Sequence, residues 1–472
     1  MNLKPNAVVD SPGIRVLIWT YFVLLMFEGV LRKWVLPGYS DMLLVVREPF
    51  LLMIYLLAFS RGIFPFNGYV VSLLTIGSVS AATGLSVGSQ NLMVTAYGFD
   101  AMFFHLPLIF VIPKVMTRAD VLKFGRWILL LTFPMAALMV IQFRSPPDAL
   151  VNCGASGGVG AQIGSALGKI RPPGFFTFIT GAAQFLALAS VFFIFGLWKK
   201  GIYPRFLLIA AGIAVGIAAV VSSSRLALGS IGTVLVMVGV ILMYDRKGVS
   251  NALGMLIPLG LILVVVTNLD VFDEGRQVFE ARLHETGDLK TGVVRTASNW
   301  TIRVFGDVYG GMLAIQNAPF FGAGLGVGTN VGARLLSGSL GFLLAEGEWA
   351  RVVLELGPLL ALPYLLIRVL ICGTLYSMSA RSARAGNGLP MLLFGGCALL
   401  VLIGQFSQAS TLGFAVLGSG FCLAATNLDG SRNLQGEESA VESQFREVKV
   451  SKPRGRSRYA ETLHDSRPCG NG

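Results

Sequence analysis

Charge is what this chain has least of. Only 13% of its 472 residues are Asp, Glu, Lys or Arg, against about 25% in soluble domains, which excludes an ordinary soluble fold. Histidine (3) and cysteine (5) are also scarce. Cys372, Cys397 and Cys422 lie in apolar runs, Cys153 in a loop and Cys469 near the C-terminus, so neither a disulfide framework nor a metal-ligand spacing is present. No small-x-small cleavage site follows the first apolar run at 14–31, which is therefore expected to be a retained helix. The net charge of +12 does not signal nucleic acid, because the basic residues sit mainly in short loops between apolar runs, where they orient helices.

What the chain has in abundance is apolar sequence, with 54% hydrophobic residues and a mean hydropathy of +0.71. The pattern predicts an all-α polytopic membrane protein with about twelve spans, at 14–31, 40–59, 69–87, 99–116, 121–143, 175–198, 204–222, 226–244, 252–268, 350–376, 389–406 and 410–427. Residues 1–13 form a leader, 14–427 the membrane domain, and 428–472 a basic, low-aromatic tail expected to be disordered. Arg61, Lys114, Arg118, Lys123, Lys199, Lys200, Arg205, Arg246, Lys247, Arg381 and Arg384 fall in alternate connections. The positive-inside rule then puts both termini in the cytoplasm and the long polar loop 269–349, between the ninth and tenth spans, outside. In a Gram-negative cell that side is the periplasm.

Ionisable residues inside spans are costly, at about 3 kcal/mol or more each on insertion scales, and so need a partner or a wet cavity. Glu28 and Arg32 are spaced to pair on one helix face, while Arg47 and Glu48 are adjacent near the middle of the second helix. They form either an ion-paired seam or the lining of a polar cavity. His105 is the only histidine within a predicted span, and it is expected to be a hydrogen-bonded packing residue.

Three arginines sit on the outside. Arg171, held extended by Pro172, suits phosphate oxygens, with snorkelling to lipid headgroups as the other reading. Arg225 lies on the tight turn Ser222–Ala227 with no acidic neighbour in sequence, and wants either a structural carboxylate or headgroup, or a phosphate ligand. Arg303, with Arg295, flanks Trp300 in the long loop. From 304 to 316 the apolar spacing predicts a helix lying on the membrane surface, ended by Asn317-Ala-Pro319. Glycines at 322, 324, 326 and 328 follow, so that amides such as those of Gly324 and Gly326 are free to cradle a phosphate, although Gly-x-Gly-x-Gly alone is a weak signal. The loop closes with Glu346, Glu348 and Arg351, then Glu355. Glu346 or Glu348 would act as a base if partial burial raised its pKa. Glu355 is expected to pair with Arg351 along the helix.

In order, the Ser224-Arg225-x-Ala227 turn, Arg303 ahead of Pro319, Pro319-Phe-Phe-Gly-x-Gly-x-Gly326 and Glu355-x-Gly357 resemble the motifs of the O-antigen ligase and O-antigen or exopolysaccharide polymerase superfamily. The resemblance covers roughly residues 170–375. It implies transfer of a glycan from undecaprenyl pyrophosphate, with inversion, to a sugar hydroxyl on an acceptor glycan or lipid A core, in the bacterial inner membrane and with no cofactor. A chain-length regulator is a possible partner. It further implies that Arg225 and Arg303 hold the donor pyrophosphate. The family's usual acceptor-activating histidine lies nine residues before the Glu-x-Gly glutamate, where this chain has Glu346. Arg295 and Gly306 match a polymerase spacing of low weight in a glycine-rich chain. Phe27–Trp34 and Arg171–Gly174 look like those of an uncharacterised branch. The loop then reads as a lid carrying Arg303 and Glu346 or Glu348 over a lipid pyrophosphate, with a twelve-helix secondary transporter or a non-catalytic scaffold as the competing classes.

Overall fold

The first apolar run becomes helix α1, Pro12–Val30, which begins at a proline whose missing N–H is no loss there and runs on through one π turn, Leu31–Val35. The computed structural model describes residues 8–158, 160, 162–244, 249–284, 305–338 and 341–427. Among these the chain is helical, with a single isolated bridge between Gly164 and Ile170 and no strand. The expected tail at 428–472 lies outside the described residues.

The helices that follow are α2 Glu48–Ser60, α3 Gly68–Ser86, α4 Leu92–Phe99, α5 Leu108–Val115, α6 Arg118–Arg144, α7 Ile179–Trp198, α8 Arg205–Val221, α9 Arg225–Tyr244 and α10 Val249–Thr267. Next come α11 Asp270–His284, α12 at 305–317, α13 Asn330–Ser337, α14 Glu348–Arg384, α15 Leu389–Ile403 and α16 Ala409–Ala424. Among the described residues, seven helical segments are long and apolar enough to cross a membrane. The predicted span at 99–116 is instead a pair, Leu92–Phe104 and Leu108–Val115, bent by 42°. Pro107 sits at the break and has no N–H to continue the helix. Helices α8, α15, α16 and Ile257–Thr267 are apolar but shorter.

Helix ends sort onto two faces. On one, Arg15 and Val9 bond to the carbonyls of Val115 and Lys114, Arg61 to Ser11, and Asn427 to the carbonyl of Pro113. On the other, Lys33 bonds to the carbonyl of Gly174, Trp34 to that of Leu150, and Arg334 pairs with Asp41 and Arg144 with Glu274. Helix α7, whose side chains are almost all buried, is the central post, touching α6, α8, α9, α10, α15 and α16. Apolar side chains such as Leu235, Val236, Met243, Leu261 and Leu366 point outward, the pattern of a surface meeting lipid.

Candidate functional site

Helix α14 opens at Glu348 behind Gly347, which has no side chain with which to cap the free amides of the first turn. Asp307, on α12, takes that role from another helix, and its Oδ2 accepts the amide of Trp349 at 3.3 Å. Partial burial outweighs that bond and, with the nearby charge of Glu348, pushes the Asp307 carboxyl up to about 6.

Glu348 itself is fully buried. Its Oε2 accepts from Arg351 Nη2 at 2.9 Å and its Oε1 from Arg368 Nη1 at 2.7 Å. Arg368 reaches back from the middle of α14 and also donates to the carbonyls of Val401 and Gly404, left free at the end of α15. Arg351 Nη1 continues the chain to Glu355 Oε1 at 2.9 Å, as the sequence spacing predicts. Two carboxylates and two guanidiniums thus form a buried, balanced network. Removing one member of such a set costs about 3–5 kcal/mol, because it strands a charge.

Glu355 then meets the glycine-rich segment. Its Oε1 accepts the amide of Gly328 at 2.8 Å and its Oε2 that of Gly326 at 3.1 Å. The expectation that these amides cradle a phosphate is therefore corrected: they hold a carboxylate of the chain itself. The reason lies one turn further on. Pro358 has no N–H for the carbonyl of Leu354, and Gly357, at φ 71°, turns the backbone out of the helix. The released carbonyls of Leu354 and Glu355 accept the amides of Ala323 at 2.8 Å and Gly324 at 3.1 Å. Gly326, at φ 88°, fits where a Cβ would strike the carbonyl of Val94 on α4. The segment is wedged between the α3–α4 corner and the kink of α14.

Of the residues singled out from sequence, Glu348, Arg351, Gly324 and Gly326 come together here. Glu346 is exposed beside them, and its carbonyl accepts from Gln405. Arg225 is the first residue of α9, half-buried, and joined by no ion pair or side-chain hydrogen bond to another described residue. The three serines before it are buried, Ser223 at φ 46°. Arg171 is half-buried, its amide bonded to the carbonyl of Ile163. The segments bearing these two arginines are linked by an apolar cluster of Phe143, Ala166, Val221 and Val278. Arg295, Trp300 and Arg303 lie outside the described residues.

Sequence reading missed Asp307 and Arg368. Arg368 carried a signal, as a charge deep in an apolar run demands a partner. Asp307 carried none, since its role depends on the meeting of α12 with α14.

The Glu28–Arg32 pair forms as spaced, at 3.1 Å, and Arg47 joins it at 3.6 Å from Glu28. Arg47 and Glu48 are not in mid-helix: Arg47 is the residue before α2, and Glu48 is its first. His105 is buried and bonded to Tyr21 at 2.7 Å. No protein-family model and no curated protein matches the chain.

Proposed function

We propose that this protein transfers a glycan from undecaprenyl pyrophosphate to a sugar hydroxyl at the periplasmic face of a bacterial inner membrane, as a polymerase of O-antigen or exopolysaccharide repeats or as an O-antigen ligase. The observation that carries this reading is the lock between Phe320–Gly328 and Glu355–Gly357. Two of the four motifs behind the family resemblance, far apart in sequence, are one physical unit, built of backbone and carboxylate contacts that need those glycines and that glutamate. The seven long apolar helices, the bent pair and the four shorter apolar helices among the described residues are compatible with a polytopic membrane protein of this kind.

In this reading Arg225, Arg303 and Arg171 hold the pyrophosphate. The acceptor oxygen attacks the anomeric carbon, the bond from that carbon to pyrophosphate breaks, and the leaving charge is met by the guanidiniums. The acceptor proton passes to Glu346, or to Asp307, whose raised pKa suits a base near neutral pH. Glu348, neutralised by two arginines, positions the start of α14 and is not the base. In a strain lacking the gene, Arg225→Ala and Arg303→Ala should each insert normally yet abolish the polymer or ligated product and accumulate lipid-linked glycan. Normal glycan length in both would remove the enzyme reading.

The bent α4–α5 pair favours a second reading, because broken spans in secondary transporters carry the ion and substrate sites. Loss of solute uptake with unchanged glycans on deletion would select it.

A further inference from the structure

The break between α4 and α5 brings three ligating side chains together apart from the site above. Glu48 opens α2, Asp100 opens the π turn Asp100–Phe104, and His105 ends that turn. Single π turns inside helices are frequent at functional sites.

We propose that Glu48, Asp100 and His105 bind one divalent transition cation, with His105 Nε2 and one oxygen from each carboxylate as its protein ligands. The ligating atoms all lie within 4.8 Å of one another. His105 Nε2 is 3.4 Å from Glu48 Oε1 and 3.4 Å from Asp100 Oδ1. That spacing is long for a hydrogen bond, and it is about the edge of a tetrahedron built on bonds of 2.0–2.1 Å.

Each of the three residues also carries an unused polar atom. His105 is fully buried, and its Nε2, together with Asp100 Oδ1 and Glu48 Oε2, makes no hydrogen bond. Buried groups of this kind call for a ligand. The other ring nitrogen is already engaged, Nδ1 lying 2.7 Å from Tyr21 Oη. With Nδ1–H donating to that oxygen, the Nε2 lone pair is turned toward the carboxylates, the arrangement that orients metal-ligating histidines. Arg47 donates to the same Tyr21 oxygen at 3.3 Å and fixes it in turn.

Charge points the same way. Glu28, Glu48 and Asp100 bring three carboxylates to this region against the two guanidiniums of Arg32 and Arg47. Glu48 and Asp100 have only His105 within ion-pair distance among the described residues. The carboxylates exceed the guanidiniums by one, so the region has room for a bound positive charge. One imidazole with two carboxylates suits zinc or manganese better than the all-oxygen sets preferred by magnesium and calcium. The Glu48 and Asp100 side chains keep 16% and 19% exposure while His105 has none, so entry is from the carboxylate side and water can complete the shell.

The test uses the full chain in lipid nanodiscs, purified through a peptide tag free of histidine, stripped with chelator, equilibrated with Zn²⁺ or Mn²⁺, and washed. Metal per chain is counted by mass spectrometry. The His464→Ala, Cys469→Ala background is run in parallel to exclude adventitious ligands there. One cation per chain is expected in both backgrounds. Tyr21→Phe, which removes no ligand, should weaken binding about tenfold. Monodisperse Glu48→Gln/Asp100→Asn protein should retain none. A wild-type chain that retains neither metal, as for an imidazolium held between two carboxylates, overturns the proposal. So does undiminished binding in the double variant.

Discussion

Glu355 Oε1 accepts the amide of Gly328 at 2.8 Å, which ties the start of a long membrane helix to a loop 27 residues upstream. With the Oε2 bond to Gly326, the carboxylate does for this loop what a bound anion does for a phosphate loop, and Arg351 supplies the balancing charge.

Removing that charge should therefore loosen the fold more than the chemistry alone suggests. Glu355→Gln keeps the shape but leaves Arg351 with half its neutralising partners, at a cost of about 3–5 kcal/mol. The melting temperature of the detergent-solubilised protein, followed by size-exclusion chromatography, should fall clearly, and inorganic phosphate should not restore it. Recovery with phosphate would mean that the amides serve a ligand.

Glycine positions should separate sharply. Gly326 has φ 88° and no room for a Cβ against the Val94 carbonyl, whereas Gly338, at φ 69°, has nothing within 4 Å. Gly338→Ala bears only the left-handed backbone penalty of about 1–2 kcal/mol. Gly326→Ala adds a backbone collision that no rotamer relieves, so its yield of monodisperse protein should collapse while that of Gly338→Ala stays near wild type.

Much of this arrangement was legible in the sequence, and the boundary is physical. Hydropathy located the apolar elements because each run must bury or expose itself as a unit, and i to i+4 spacing gave the Glu28–Arg32 and Arg351–Glu355 pairs. The bend at Pro107 was hidden because an apolar run reads the same straight or broken. The meetings of Arg368 with Glu348, Gly326 with Glu355, and His105 with Glu48 are set by helix packing, which no local pattern encodes.

Asp307 gives the site a pH signature. Its carboxyl stands near 6, so the ionised form that can take a proton grows in as pH rises through 6. If Asp307 is the proton acceptor, the transfer rate in membranes should rise through that range and level off above it, and Asp307→Asn should remove the rise along with most of the rate. A profile unchanged by Asp307→Asn would leave the role to Glu346.

Glu346 and Glu348, two residues apart, should fail in different ways. Glu348 is buried between Arg351 and Arg368, so Glu348→Gln strands Arg368 and leaves Arg351 with Glu355 alone, at about 3–5 kcal/mol. The expected result is a low melting temperature and poor yield, with any surviving protein retaining activity per folded molecule. Glu346 is exposed, and among the described residues only its carbonyl is used, by Gln405. Glu346→Gln should therefore leave the melting temperature unchanged. If the side chain takes the acceptor's proton, transfer should fall about 10²- to 10⁴-fold, the span of general-base contributions. Measuring stability and lipid-linked glycan turnover on the same preparations distinguishes the two. Full turnover in Glu346→Gln would assign the proton to Asp307, and full turnover in both Glu346→Gln and Asp307→Asn would exclude a carboxylate base at the start of α14.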